Sequence, residues 1–189
     1  MRRVGIAVGV PGGHHAFVGG AVEVASGGFH TCALNADQTV ECWGLDDYGQ
    51  LGIGEHGNGP CLGGRACQSE PYSLYLQGAA HLAAGIDHTC ALLSNGNAVC
   101  WGSNDLGQLG VGGSTNGPCP GNVACADAPM PLTTLKNVTQ IAAGHSAHTC
   151  VLLADKTVKC WGTDEVGELG DGNFGLGDYS SIPVAVIGP

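Results

Sequence analysis

Apolar side chains alternate with polar or small ones in short runs along this chain, separated by glycine, asparagine and proline. Between 71 and 102 the runs fall at 72–76 (Tyr-Ser-Leu-Tyr-Leu), 80–84 (Ala-His-Leu-Ala-Ala), Cys90 to Leu93 and Ala98 to Trp101. A period of two over four or five residues marks a half-buried strand, and no stretch keeps helical spacing long enough to compete. Four such runs predict one small four-stranded sheet. Ser94-Asn95-Gly96-Asn97 separates the last two, which are expected to form a hairpin turning near Asn95. Gly85 leads into the third run and Gly102 follows the fourth, where tolerance of positive φ would let the chain turn sharply.

The pattern is written three times. His30-Thr-Cys-Ala-Leu leads to Cys42-Trp43-Gly44, His88-Thr-Cys-Ala-Leu to Cys100-Trp101-Gly102, and His148-Thr-Cys-Val-Leu to Cys160-Trp161-Gly162. The tryptophans lie 58 and then 60 residues apart, and a second block follows each: Asp-Tyr-Gly-Gln-Leu-Gly at 47–52, Asp-Leu-Gly-Gln-Leu-Gly at 105–110, Glu-Val-Gly-Glu-Leu-Gly at 165–170. This block is expected to cap its sheet. A unit of such length is the size of a small sheet, which places the chain among propellers and related arrays. Pro11, Pro71, Pro129 and Pro183 occupy equivalent places and set the phase. Residues 1–20 then read as the tail of a preceding repeat or a leader, 21–70, 71–128 and 129–182 as three repeats, and 183–189 as the start of another. The expected fold is all-β: three four-stranded blades of a β-propeller, incomplete and open as a single chain. Propellers close with about four to eight blades, so unpaired faces at both ends predict self-association or missing repeats.

Composition sharpens this picture. Glycine accounts for 34 of the 189 residues, and Trp, Tyr and Phe together for only 10, which is turn-rich material. Six Lys and Arg against 16 Asp and Glu give a net charge of −10, which repels phosphate backbones and argues against nucleic acid as a partner. No apolar run approaches the roughly 20 residues of a membrane-spanning helix. Arg2 and Arg3 before the apolar stretch Val4 to Val10 resemble a short leader, but Pro11-Gly-Gly-His-His cuts it off early and no convincing small-x-small cleavage site follows.

Ten cysteines repeat their spacing: Cys32 and Cys42, Cys90 and Cys100, Cys150 and Cys160 are ten apart, while Cys61 and Cys67, Cys119 and Cys125 are six apart. Units sharing one fold must share one pairing, and local pairing satisfies this simply. In the first class both cysteines lie on the expected hairpin, opposite each other and close enough to bridge. Zinc and free buried thiols compete, but structural zinc sites usually place cysteines two to four apart. Disulfides are the preferred reading. They imply an oxidising compartment: extracellular, cell-surface or periplasmic.

The combination Ala-Ala-Gly-x-x-His-Thr-x-Ala-Leu, Val-x-x-Trp-Gly and Asn-x-x-Gly-Gln-Leu-Gly, clearest at 83–110, resembles the repeat of the regulator of chromosome condensation family. The resemblance covers about 160 residues in three phased copies and implies a seven-bladed propeller, hence missing blades here. Its founding member exchanges guanine nucleotide on a GTPase and docks on nucleosomes, and other relatives are ultraviolet photoreceptors or secreted β-lactamase inhibitors. The cysteine pairs, the acidity and the lack of a basic tail set this sequence apart from the founding member. The cysteine-bearing form looks like versions in secreted or surface proteins of bacteria.

His30, His88 and His148 each lie near a cysteine, but one residue at one repeat position in every unit is expected to satisfy backbone groups of a turn. Trp43, Trp101 and Trp161 are expected to be packing anchors at strand ends. Gly52-Ile-Gly-Glu-His-Gly57 fits G-x-G-x-x-G without a preceding strand or following helix, and Asp171-Gly-Asn-Phe-Gly175 lacks the final glutamate of a calcium loop. No cofactor, metal or catalytic set is expected. The loops 53–70, 111–128 and 171–182 vary while the frame repeats, so they are expected to meet a protein partner. The functional expectation is a non-catalytic protein-binding or surface scaffold within a larger secreted protein. The alternative, by resemblance, is a guanine-nucleotide exchange factor or GTPase regulator.

Overall fold

The computed structural model describes residues 20–54, 59–61, 63–74, 76–113, 115, 117–119 and 122–188. The readings of residues 1–19, Pro11 included, and of part of the first two variable loops fall outside them.

Alternation along each run gives antiparallel strands in three separate sheets. The first holds β1 (Ala21–Ser26), β2 (His30–Asn35), β3 (Val40–Leu45), β4 (Gly59–Pro60) and β5 (Ala66–Leu74), in the order β1-β2-β3-β5-β4. The second holds β6 (Ala79–Ala84), β7 (His88–Leu93), β8 (Ala98–Ser103), β9 (Gly117–Cys119) and β10 (Val123–Pro131), in the order β6-β7-β8-β10-β9. The third holds β11 (Val138–Ala143), β12 (His148–Leu153), β13 (Val158–Thr163) and β14 (Tyr179–Ala185), in sequential order. Each is a four-stranded blade, and the short β4 and β9 extend the first two.

The central hairpins share one register. Leu93 N donates to Asn97 O at 2.8 Å and Gly96 N to Leu93 O at 2.9 Å, so the turn sits at 94–96, where Gly96 has φ +78°. Asn95 Oδ1 takes the Asn97 N–H at 3.0 Å, as Asp37 takes Thr39 and Asp155 takes Thr157 in the other copies. Counting back from the hydrogen-bonded pair Leu93–Asn97, Cys90 and Cys100 oppose each other at a narrow, non-hydrogen-bonded position. Such pairs bring side chains closest together.

One expectation is corrected. The run at 72–76 does not open the second sheet: its described strand portion is the end of β5, where Leu74 pairs with Val40 of the first sheet. Likewise β10, which contains Pro129, pairs with β8 of the second sheet, and β14, which contains Pro183, closes the third. Sequence unit and sheet are offset by one strand. Periodicity fixes the length of a repeat but carries no information about where the chain crosses between sheets. Proline, which has no N–H to give, is suited to the register irregularity that each of these strands carries at that point.

The blades stack face to face. The continuous apolar cluster takes Cys32, Leu34, Val40 and Cys42 from one face of the first sheet, residues of both faces of the second, and Val138, Val151 and Trp161 from the third. Thus the middle blade is covered on both sides. Leu82 and Val24 stand at the same repeat position, opposite Ala91 and Ala33, yet Leu82 is 6% exposed and Val24 60%.

Candidate functional site

The histidines, tryptophans and Gly-Gln-Leu-Gly blocks meet at the seams between blades. His30 Nε2 lies 2.8 Å from Thr89 Oγ1, and Thr89 Oγ1 donates to the Gln50 carbonyl at 2.9 Å. That carbonyl also accepts Trp101 Nε1 at 3.0 Å. The second seam repeats the set: His88 Nε2 lies 2.9 Å from Thr149 Oγ1, and the Gln108 carbonyl accepts Thr149 Oγ1 at 3.1 Å and Trp161 Nε1 at 2.8 Å. Because each threonine gives its only proton to a carbonyl, its oxygen accepts from the histidine. The imidazole proton therefore sits on Nε2. Nδ1 of His30 and of His88 is buried without a partner, which suits the unprotonated nitrogen of a neutral ring.

Burial holds the ring neutral. It presses His30 down to about 4 from an ordinary value near 6.5, and His88 to about 3, where His30 and His148 add their repulsion. The sequence expectation that these histidines satisfy a turn's backbone is corrected, since the ring reaches across to the neighbouring blade. Gly85 is corrected as well: it is not among the positive-φ residues, and a Cβ there would fall on the His88 ring. Gly102 does have positive φ, +103°.

The Gly-Gln-Leu-Gly block is a seam element rather than a cap on its own sheet. Gly52 has φ +70°, and a Cβ on it would lie 2.7 Å from Trp101 Nε1; Gly110, also at +70°, stands the same way 2.7 Å from Trp161 Nε1. Each block is folded by its own side chains. Asp46 Oδ1 accepts Leu51 N at 2.9 Å, Asn104 Oδ1 accepts Leu109 N at 3.1 Å, and Gln50 and Gln108 accept the N–H two residues before them. Thr89, Thr149, Gln50 and Gln108 were not among the residues singled out from sequence, although each recurs at a fixed repeat position.

Trp101 and Trp161 are fully buried, whereas Trp43 and Thr31 of the first blade are only half-buried. His148, in the last blade, takes Ser146 Oγ on Nδ1 at 3.0 Å and has no seam threonine beyond it among the described residues.

The cysteines form five bridges. Cys32–Cys42, Cys90–Cys100 and Cys150–Cys160 each hold their Cα atoms 4.1 Å apart across a hairpin. Cys61–Cys67 and Cys119–Cys125, with Cα separations of 5.9 and 5.8 Å, each close the small ladder that extends a blade.

All three variable loops join the third strand of a blade to its fourth, so topology brings them to one rim. In the first, Asp47 anchors the stapled segment by accepting Arg65 Nε and, at 2.8 Å, the Ala66 N–H. The third has no bridge and leaves Phe174 and Leu176 exposed, Leu176 by 98%. Asp171 Oδ1 accepts Asn173 N at 2.9 Å, as in an ordinary Asx turn. Among the described residues no three His, Cys, Asp or Glu side chains gather as a metal site.

This geometry has known counterparts. The model of the regulator of chromosome condensation (RCC1) repeat matches residues 21–50, 79–108 and 138–168 in one form and 95–152 in another. The human probable E3 ubiquitin-protein ligase HERC6 is 36% identical over 151 residues, which is 79% of this chain but 14% of that protein. Human HERC2 is 33% identical over 80% of the chain and 3% of its own length, so the chain spans a small part of these relatives. Among solved structures, yeast RCC1 (Prp20) bound to Kap60 superposes with a TM-score of 0.73 at 23% identity over 89% of this chain and 37% of that one. Human WBSCR16 gives 0.67 at 24% identity over 90% and 38%. These structures share the propeller fold, and the blade-to-blade seams carry the motifs that the family model reads: the chain belongs to the RCC1-repeat family.

Proposed function

We propose that this segment is a non-catalytic protein-binding scaffold, working in an oxidising compartment as part of a larger secreted protein, with the loops 53–70, 111–128 and 171–182 as its recognition surface. One observation carries the reading: topology gathers the three segments that differ most between repeats at one rim of a frame that is otherwise the same in each blade. Variable loops on a rigid frame are the usual arrangement of a recognition surface. Exposed Phe174 and Leu176 supply apolar contact there, and the two small disulfides pre-order loops that have little core of their own. Five bridges, with no free cysteine among the described residues, support the oxidising compartment.

Yeast Prp20p is described with its binding to Gsp1p and to histones. Guanine-nucleotide exchange is the second reading, and it rests on the relatives alone.

The test replaces the part of each loop that lies before the fourth strand of its blade, residues 53–65, 111–122 and 171–178, by a short Gly-Ser linker in the 189-residue chain, with Cys67 and Cys125 changed to serine, and measures binding to partners cross-linked to the wild type in its native compartment. Binding lost on loop replacement while the blades keep their melting temperature supports the reading. Binding that survives all three replacements overturns it. Acceleration of nucleotide release from a GTPase would favour exchange instead.

A further inference from the structure

Each internal seam has two unlike halves, and one of each is left open on this chain. The leading half of the first seam consists of Val40, His30 and the Gln50 carbonyl beside Gly52; the accepting half consists of Leu82, Thr89 and Trp101. The third blade presents a leading half outward: Val158, His148 and the Glu168 carbonyl beside Gly170. Here Val186 packs against Gly170 as Leu132 packs against Gly110. The first blade presents an accepting half outward: Val24, Thr31 and Trp43. Among the described residues both halves are less covered than their counterparts in the internal seams. Val158 is 37% exposed where Val40 is fully buried, and Val186 is 37% exposed where Leu132 is 2%.

We infer that the outer face of the third blade binds the outer face of the first blade of a second copy, head to tail, by repeating the internal seam. His148 Nε2 donates to the partner copy's threonine at position 31, and the Glu168 carbonyl accepts that threonine and the tryptophan at position 43. The occupant is identified by continuity with an interface already made twice in the chain. Both halves keep the histidine, threonine and tryptophan of the internal seams in the same register, and joining them buries Val24, Trp43, Val158 and Val186 together. Glu168 keeps the local fold of the glutamines it replaces, since its carboxylate accepts the Val166 N–H at 2.9 Å as Gln108 accepts Leu106. The carbonyl that the seam requires belongs to the backbone and is indifferent to the change. The two faces are unlike, so the contact is heterologous and closes as a ring where the blade rotation allows; two copies supply six blades, within the range of about four to eight for closed propellers.

The same half-seams would take a further repeat of a longer polypeptide, so association is measured on the 189-residue chain alone. One variant, Thr31→Val with Trp43→Phe, removes the donors of the accepting face while keeping its shape. Another, His148→Phe, removes the donor of the leading face. Sedimentation at about 100 μM should show the wild type at twice its monomer mass or more, and each variant alone close to monomer. An equal mixture of the two variants should form a species of twice the monomer mass and no larger, because only one good face of each remains. Unchanged far-ultraviolet circular dichroism and a cooperative melt confirm that the blades stay folded. A wild type that remains monomeric, variants that associate as the wild type does, or a mixture that forms no dimer would each overturn the assignment.

Discussion

Trp101 and Trp43 occupy the same place on the same strand of consecutive blades, follow the same cysteine and precede the same positive-φ glycine, yet one is wholly buried and the other half-buried. Leu82 and Val24 differ in the same sense, as do Val40 and Val158. The residue is constant and the neighbour is not. Stability in this architecture therefore resides at contacts between units as much as within them, as expected of a repeat array whose energy is a sum of unit and nearest-neighbour terms.

Truncating the two tryptophans gives the largest expected contrast. Trp101→Ala should cost about 3–5 kcal/mol by opening a cavity in the first seam, and Trp43→Ala about 1 kcal/mol, both measured by urea denaturation. Equal losses would mean that the outer face is covered in solution.

Acid should attack the seams next. His30 and His88 are held neutral when folded and take up a proton readily when unfolded near pH 6.5. Their contribution is thus fully present above about pH 6.5 and is lost as pH falls toward the folded values of about 4 and about 3, by about 3 kcal/mol for His30 alone. Melting temperature should fall across that window in the wild type and fall less in His30→Gln. Identical profiles would sever the histidines from the effect.

A finer cut separates the hydroxyl from the ring. Thr89→Val strands the buried His30 Nε2 proton and should cost about 1–2 kcal/mol, whereas Thr31→Val, at the open face, should cost almost nothing in chains kept dilute. The smallest effect is expected at the rim. Replacing Cys61 and Cys67 together by serine should lower the stability of the blades by under about 1 kcal/mol, because the ring closes a segment outside the core. Limited proteolysis should then cut the first loop sooner; equal cutting rates would show that the bridge does not order it.

The sequence made some of this legible and hid the rest for definite reasons. Alternation, Asn95-Gly96 and the ten-residue cysteine spacing are local signals, and the hairpin with Cys90 opposite Cys100 follows from them directly. Unit length was equally plain. The phase of the sheets was not, because β5 pairs with β3 through contacts that no period encodes. Nor was the role of His30, whose partner Thr89 lies a whole repeat away. A side chain bonded to the next unit leaves the same sequence trace as one bonded to its own turn. The short ladders made by β4 and β9 were also missed, since two or three residues around a proline carry too little alternation to register.

The cross-strand bridges have a mechanical consequence. A hairpin pulled from its open end tears pair by pair, and in the middle blade the tear can pass His88–Gly102 and Thr89–Trp101 before it meets the covalent link between Cys90 and Cys100. The nine residues beyond that link can neither be peeled nor lengthen the chain. At about 3.4 Å each they amount to about 30 Å of slack withheld from every blade under tension. A surface tether made of such blades would give way between its units while each hairpin stayed closed, and reducing agent would turn the same strip from short and stiff to long and yielding.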